Sequence, residues 1–282
     1  MTVALALCAS LLWGGADFLG GTAARRLPAT GVVFASQGAA LVGLLVVAAA
    51  TGAFGDSTGY LGWAVAAALV GVVALTSFYA ALAGGTMGVV APIAALGVVV
   101  PVVVGLAQGD RPSVWQGVGV AVAVVGVVLA SGPELRSAET GRSARPLLLA
   151  GVAAVGFGTV IVCVAHGAQS STTMTLLVMR ATSVAVLGGL ALGGAVSVGV
   201  GKADWPLLVA IGAGDVLANA ALAVASTRGL LSVVAVLSSL YPAITVLLAR
   251  AVHDERLVRV QAVGVTAALV GVVLIASGGG TS

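Results

Sequence analysis

Three ionisable side chains lie deep within long apolar stretches of this 282-residue chain: Asp17, Arg180 and Asp215. A charge at the centre of a membrane-spanning helix costs about 2.5 to 3.5 kcal/mol on insertion scales, so each group needs water, a partner or a change of protonation. Groups of this kind bind polar ligands, carry protons or pair with one another. The three residues are therefore the first candidates for a functional site.

Asp215 lies near the middle of its apolar stretch, and Asn219 follows one helical turn later. Residues at i and i+4 share a helix face, so the carboxylate and the amide can bind one polar ligand together. The alternative is that both side chains only hydrogen-bond a neighbouring helix. Because its polar neighbour Asn219 is neutral, we expect Asp215 to be the acid that carries a proton.

Asp17 shares its helix face with one large aromatic residue and several small residues: Ser10, Trp13, Gly14, Gly20 and Gly21. Small side chains permit close approach of solvent or of another helix, so this face is predicted to point inward. The competing interpretation is that the small residues serve tight helix packing and that Asp17 pairs with Arg180. We assign Asp17 to that pairing.

Arg180 is the one cation in the middle of an apolar stretch. It can pair with either acid, or it can bind a substrate carboxylate through two parallel hydrogen bonds. It can also be a boundary residue whose charge reaches the membrane surface. Two acids and one base leave one carboxylate without a fixed counter-ion, as a proton carrier requires.

Composition defines the elements that must position these residues. Hydrophobic residues make up 60% of the chain and charged residues 7%, compared with roughly 25% charged in soluble domains, so the chain belongs in lipid. Lipid offers the backbone no hydrogen-bond partner, which favours helices. Ten spans of suitable length are predicted, at 3–24, 30–51, 60–83, 86–107, 113–131, 146–168, 172–194, 205–226, 230–251 and 257–277.

The chain is an internal duplication, because the segment 89–96 reappears at 233–240 in a register that continues on both sides. We predict an all-α membrane protein with a first five-helix repeat at 1–131, a polar linker at 132–145 and a second five-helix repeat at 146–282. Five helices per repeat invert the second copy, as in many transporters. The scaffold is symmetric but its charges are not, since the equivalents of Asp17, Arg180 and Asp215 are Ile161, Ser36 and Gly71.

Prolines occur in the fourth span, at Pro92 and Pro101, and in the equivalent ninth span, where Pro242 follows Tyr241. Proline removes a backbone hydrogen bond, so both helices are predicted to kink and to serve as gates. Bent helices that merely fit the bundle are the alternative. Glycines in the fifth and tenth spans are expected to allow close packing: Gly119, Gly126, Gly264 and Gly271.

The ten spans and several local strings resemble the drug/metabolite transporter superfamily, specifically EamA-type permeases. The strings lie at 12–21, 109–112, 225–229, 238–242 and 255–256. The resemblance implies a central cavity lined by the first four helices of each repeat, with the fifth at the periphery. It also implies carriers that export or exchange small metabolites or drugs, commonly driven by protons.

The distribution of basic residues and the family resemblance predict opposite orientations of the chain in the membrane. Most arginines and the lysine lie in loops that follow odd-numbered spans, which favours termini outside the cell and a cytoplasmic linker. The resemblance implies the opposite, because members usually place both termini in the cytoplasm. We expect a multi-pass protein of a bacterial cytoplasmic membrane, a monomer or a homodimer.

We expect a secondary transporter of a small polar metabolite or drug, a proton-coupled exporter that works by alternating access, and not an enzyme. Its partners are the solute, protons and the lipid bilayer. A rival interpretation is an intramembrane aspartyl protease, because Gly212 to Asp215 match a Gly-x-Gly-Asp string; a passive channel or lipid-handling protein is another. The sequence has no metal, haem or nucleotide motif, and its scattered basic residues do not favour nucleic acid.

Overall fold

The fold is described here from a computed structural model, over residues 2–107, 113–139, 144–228, 237 and 240–278. The sequence strings at 109–112 and 238–239, and residues 140–143 of the predicted linker, lie outside these residues. Within the described part of the chain the regular structure is helical, with no strand. The predicted all-α class is confirmed to this extent.

Most of the principal helices follow the predicted spans, whereas the first part of the ninth span, 230–239, lies outside the described residues apart from Leu237. The helices are α1 (Thr2–Ala24), α2 (Ala29–Thr51), α3 (Leu61–Gly84), α4 (Met87–Ala95), α5 (Val99–Ala107), α6 (Val114–Glu139), α7 (Arg145–Leu192), α8 (Trp205–Arg228), α9 (Tyr241–His253) and α10 (Arg259–Gly278). Short 3₁₀ turns lie at Ala53–Gly55, Thr58–Tyr60, Leu96–Val98 and Lys202–Asp204.

Six helical segments among the described residues are long and apolar enough to cross a membrane. They are Val3–Ala24, Ala29–Thr51, Thr58–Gly84, Met87–Ala107, Arg145–Leu192 and Lys202–Leu222. Two shorter apolar helices lie at Val114–Ala130 and Arg259–Ile275. The chain is therefore a multi-pass membrane protein in which apolar helices dominate.

The 48-residue α7 is two helices joined at Ser171, whose φ of −164° and ψ of 116° are extended rather than helical. The two limbs, 145–170 and 172–192, fold back on each other. A Cβ on Gly167 in the first limb would lie 2.7 Å from the side chain of Thr175 in the second. This break matches the predicted gap between the sixth and seventh spans.

One helix boundary differs from the prediction. The predicted linker begins at 132, but α6 continues to Glu139, because the segment 134–139 contains residues that favour helix. Pro242 lies in the first turn of α9, and its predicted kink of the ninth span stays a prediction because residues 238–239 lie outside the described part of the chain. Proline is tolerated in a first turn because the first backbone N–H groups of a helix have no intrahelical acceptor.

The fourth span is interrupted, as its prolines predicted. Helix α4 contains Pro92 and gives way to the 3₁₀ turn Leu96–Val98 before α5, which contains Pro101. A 3₁₀ turn within a long helix often marks a hinge. The fourth span is thus interrupted between its two prolines, and its kink stays a prediction.

The predicted packing glycines bring α6 and α10 together. A Cβ on Gly126 would collide with the backbone nitrogen of Ala268, and one on Gly264 with that of Ala130. A Cβ on Gly119 would lie 2.8 Å from the carbonyl oxygen of Gly271. The prediction that these residues serve close packing is therefore confirmed.

Ion pairs connect the two halves of the chain at one end of the bundle. Nη2 of Arg25, just after α1, lies 3.0 Å from Oε1 of Glu255, which precedes α10. Oε2 of Glu255 accepts a hydrogen bond of 3.2 Å from the backbone nitrogen of Gly88 in the first turn of α4. Nη2 of Arg26 lies 3.1 Å from Oδ1 of Asp204, just before α8. We call these contacts the end clamp.

Candidate functional site

A cavity of about 360 Å³ lies at the middle of the bundle. Side chains from α1, α2, α3, both limbs of α7, α8 and α9 line it. Most of the lining is apolar, and its ionisable acids and base are Asp17, Arg180 and Asp215. The structure thus brings all three predicted charges into one cavity, although they lie far apart in sequence.

Small residues allow the helices around this cavity to approach one another. A Cβ on Gly212 in α8 would collide with the carbonyl oxygen of Ser36 in α2. A Cβ on Gly14 in α1 would lie 2.5 Å from the carbonyl oxygen of Tyr241 in α9. Backbones this close leave no room for larger side chains. The packing of α8 against α2 therefore depends on Gly212, and the packing of α1 against α9 depends on Gly14.

Arg180 and Asp215 form an ion pair, with Nη2 of the arginine 2.5 Å from Oδ2 of the aspartate. Nη1 of Arg180 donates a hydrogen bond of 2.7 Å to Oε1 of Gln37 in α2. Nε1 of Trp13 donates to Oδ1 of Asp215 at 3.3 Å. Asn219 donates from Nδ2 to the carbonyl oxygen of Asp215 at 2.7 Å and to its Oδ1 at 3.4 Å. Three helices thus hold the carboxylate of Asp215.

The predicted pairing of Arg180 with Asp17 is wrong. The second limb of α7 directs the guanidinium between α2 and α8, where Gln37 and Asp215 accept its hydrogen bonds. The neutral Asn219 is also not the only polar neighbour of Asp215, because Arg180 forms an ion pair with it. The neutral surroundings that favoured Asp215 as the proton carrier are therefore absent.

Asp17 has no hydrogen-bond or ion-pair partner among the described residues. Its carboxylate lies in the cavity with Tyr79 of α3 and Tyr241 of α9. The ring of Tyr241 meets Trp13 edge to face, with centroids 6.3 Å apart. The sequence has two acids and one base within its spans, so one acid was expected to lack a counter-ion. Among the described residues, that acid is Asp17.

Trp13 and Tyr241 line the cavity as aromatic walls, whereas Pro92, Pro101 and Pro242 are not among its lining residues. Asn219 is not part of the lining either, and it acts on Asp215 from within α8. The inward-facing surface predicted for α1 is present, because Trp13 and Asp17 both face the cavity. Its glycines instead pack against neighbouring elements.

Two cavity residues were missed from the sequence. Gln37 is buried in α2 and accepts a hydrogen bond from Arg180, and Tyr79 places an aromatic ring beside Gly20. Gln37 had a signal, because an amide in the middle of the apolar span 30–51 needs a partner just as a charge does. Nothing in the residues around Tyr79 distinguishes it from an ordinary buried aromatic residue.

The fold and this cavity define a class: an all-helical, multi-pass membrane protein with charged groups at the centre of its bundle. The model of the EamA-like transporter family matches the chain twice, over residues 1–132 and 144–277. The chain belongs to the EamA-like transporter family. It is a membrane transporter of the drug/metabolite type, a family of transporters rather than enzymes.

Among solved structures, one crystal structure of a protein superimposes with a TM-score of 0.65 at 19% sequence identity. The match covers 99% of this chain and 98% of that one. At this identity the likeness concerns the fold alone. No curated protein matches the chain.

Proposed function

We propose that the protein is a secondary transporter that moves a small polar metabolite or drug through the central cavity by alternating access. The observation that carries the proposal is one cavity that is lined by charged groups of both chain halves: Asp17 from the first half, and Arg180 and Asp215 from the second. In many transporters that are built from repeats, the substrate site lies near the bilayer midplane, at the interface between the repeats.

The proposed architecture is ten membrane spans in two inverted repeats, 1–131 and 146–282, joined at 132–145. Support comes from the two family matches and from the fold-back of α7, which divides it into two span-length limbs. The end clamp joins the two halves at one end, so opening that end would require its ion pairs to break. The 3₁₀ turn between α4 and α5 is the proposed gate.

The proposed coupling is exchange of the solute for protons, in the direction of export. Asp17 is the proposed proton-carrying acid, because it has no counter-ion among the described residues while Asp215 is held by Arg180. A carboxylate without a fixed partner can change protonation without leaving a buried cation unpaired. The proposed location is the cytoplasmic membrane of a bacterium.

The aspartyl-protease alternative gains no support from the cavity. Such an enzyme needs two carboxylates that share one proton. Here Asp215 forms an ion pair with Arg180 and accepts further hydrogen bonds from Trp13 and Asn219. The carboxylate of Asp215 therefore already takes part in contacts that connect α1, α7 and α8.

Counterflow in proteoliposomes tests the transport proposal. Vesicles preloaded with an unlabelled solute are diluted into a trace of the same labelled solute, over a panel of amino acids, amines and drugs. A carrier accumulates the label transiently and saturates, because inward and outward movement share one site. Linear, non-saturating flux without counterflow would indicate a channel and overturn the proposal.

A further inference from the structure

We infer that the solute carried by the central cavity is an amphipathic organic monocation, an ammonium group on an apolar body. The inference rests on the proposed transport function, because it names the class of solute for the same cavity. It follows from the balance of charge in the cavity, from the bonding of Arg180 and from the character of the cavity wall.

The cavity has an excess of one negative charge when its acids are ionised. Asp215 is neutralised by Arg180 at 2.5 Å, whereas Asp17 has no partner among the described residues. Residues 229–236 and 238–239, outside those residues, contain no ionisable side chain in the sequence. A lone carboxylate in a mostly apolar cavity favours a cation, because an opposite charge compensates the lost solvation.

Arg180 is already engaged by Gln37 and Asp215. Its two terminal nitrogens donate to Gln37 and Asp215, and its Nε is buried with no hydrogen-bond partner among the described residues. A carboxylate solute would have to share the guanidinium with Asp215, whose negative charge already neutralises it and repels a second anion. The cavity therefore favours a cation over an anion, and over a zwitterion whose carboxylate would compete with Asp215 for Arg180.

The wall of the cavity suits an apolar body attached to a cation. Trp13, Tyr79 and Tyr241 contribute aromatic rings, and valine, leucine and isoleucine side chains cover much of the remaining surface. Aromatic faces attract ammonium groups, and they do so more strongly away from water. One carboxylate and several rings match one positive charge on an apolar molecule.

The test compares four probes that share a phenylethyl body and differ in charge. They are 2-phenylethylamine, phenylalanine, 3-phenylpropionate and 2-phenylethanol, titrated calorimetrically into the purified full-length protein in detergent. The amine is expected to bind on the order of tenfold or more tightly than the other three, the usual scale of a charge-assisted hydrogen bond. Equal binding, absence of binding or preference for the acid or the amino acid would overturn the inference.

Three variants assign the preference to Asp17. Asp17→Asn should lose on the order of 10- to 100-fold in amine affinity, while Asp17→Glu, which restores the charge, should recover most of it. Asp56→Asn makes the same chemical change at an exposed loop position and should bind like the wild type. An amine preference that survives Asp17→Asn would contradict the inference.

Counterflow separates this inference from the transport proposal. If vesicles show saturable counterflow of an amino acid or an anion but not of the amine, the transporter stands and the cation assignment is wrong. If the amine binds through Asp17 yet no solute shows counterflow, the site is a cation site and the transport proposal is wrong.

Discussion

The pairing of Arg180 with Asp215 rather than Asp17 predicts unequal effects of two chemically identical substitutions. Asp215→Asn leaves the guanidinium of Arg180 without its counter-charge, with only Gln37 still accepting from Nη1. Asp17→Asn removes a carboxylate that has no partner among the described residues. The first change should destabilise the protein, and the second should not.

The magnitude follows from the burial of the pair. The side chains of Arg180 and Asp215 are 13% and 29% exposed, so the pair belongs with buried ion pairs, for which removing one partner costs roughly 3 to 5 kcal/mol. The lower end, about 3 kcal/mol, applies because Asp215 faces the cavity and Gln37 remains. The double variant, which combines Arg180→Gln with Asp215→Asn, removes both charges. It should lose less stability than the sum of the losses in the two single variants, and the difference, the coupling energy, should be about 2 kcal/mol.

The assay is reversible unfolding in mixed micelles of rising sodium dodecyl sulfate fraction, followed by the loss of native tryptophan fluorescence. Wild type, the two single aspartate variants, Arg180→Gln and the double variant are compared in one series. If Asp17→Asn is the destabilising variant and Asp215→Asn unfolds like the wild type, Arg180 pairs with Asp17 and the description of the site is wrong.

Three further predictions concern the scaffold. Gly126→Leu should cost about 1 to 3 kcal/mol of stability in the same unfolding assay, because its side chain would meet the backbone of α10. The control Gly117→Leu should cost little, because the space around Gly117 is open. Equal losses of stability in the two variants would contradict the packing of α6 against α10. Glu255→Ala should speed hydrogen exchange at the amide of Gly88, because it removes the acceptor, while Asp204→Ala should not. Unchanged exchange in Glu255→Ala would show that the end clamp lacks this bond. The arginine distribution predicts a cytoplasmic linker, so Ser137→Cys without Cys8 and Cys163 should resist an impermeant maleimide in intact cells, and labelling would support the opposite orientation.

Much of the fold could be predicted because lipid simplifies the pattern. Long apolar runs must be helices, so the polar breaks locate helix ends, and the gap around Ser171 was placed correctly between two spans. The extension of α6 to Glu139 was missed because apolarity stops at 131 while helix propensity does not. Hydropathy reports where lipid ends, not where the backbone leaves the helix.

The members of the site were easier to predict than their partners. Asp17, Arg180 and Asp215 were recognisable because each charge is expensive in an apolar span. Which acid meets Arg180 depends on how α2, α7 and α8 rotate against one another, and the contacts of Gly212 with α2 that fix this are not visible in one sequence. Gln37 shows the same limit, because a neutral amide attracts less attention than a charge.

The most direct test of the proposed mechanism is solute flux driven by a pH gradient in proteoliposomes, with the best substrate from the counterflow panel. The wild type and Asp56→Asn should show saturable flux that rises with the gradient, whereas Asp17→Asn should retain counterflow only in part and lose the response to the gradient. If Asp17→Asn keeps a normal response while Asp215→Asn loses it, the proton is carried by Asp215. Flux in the wild type that does not saturate and ignores the gradient would contradict a proton-coupled carrier.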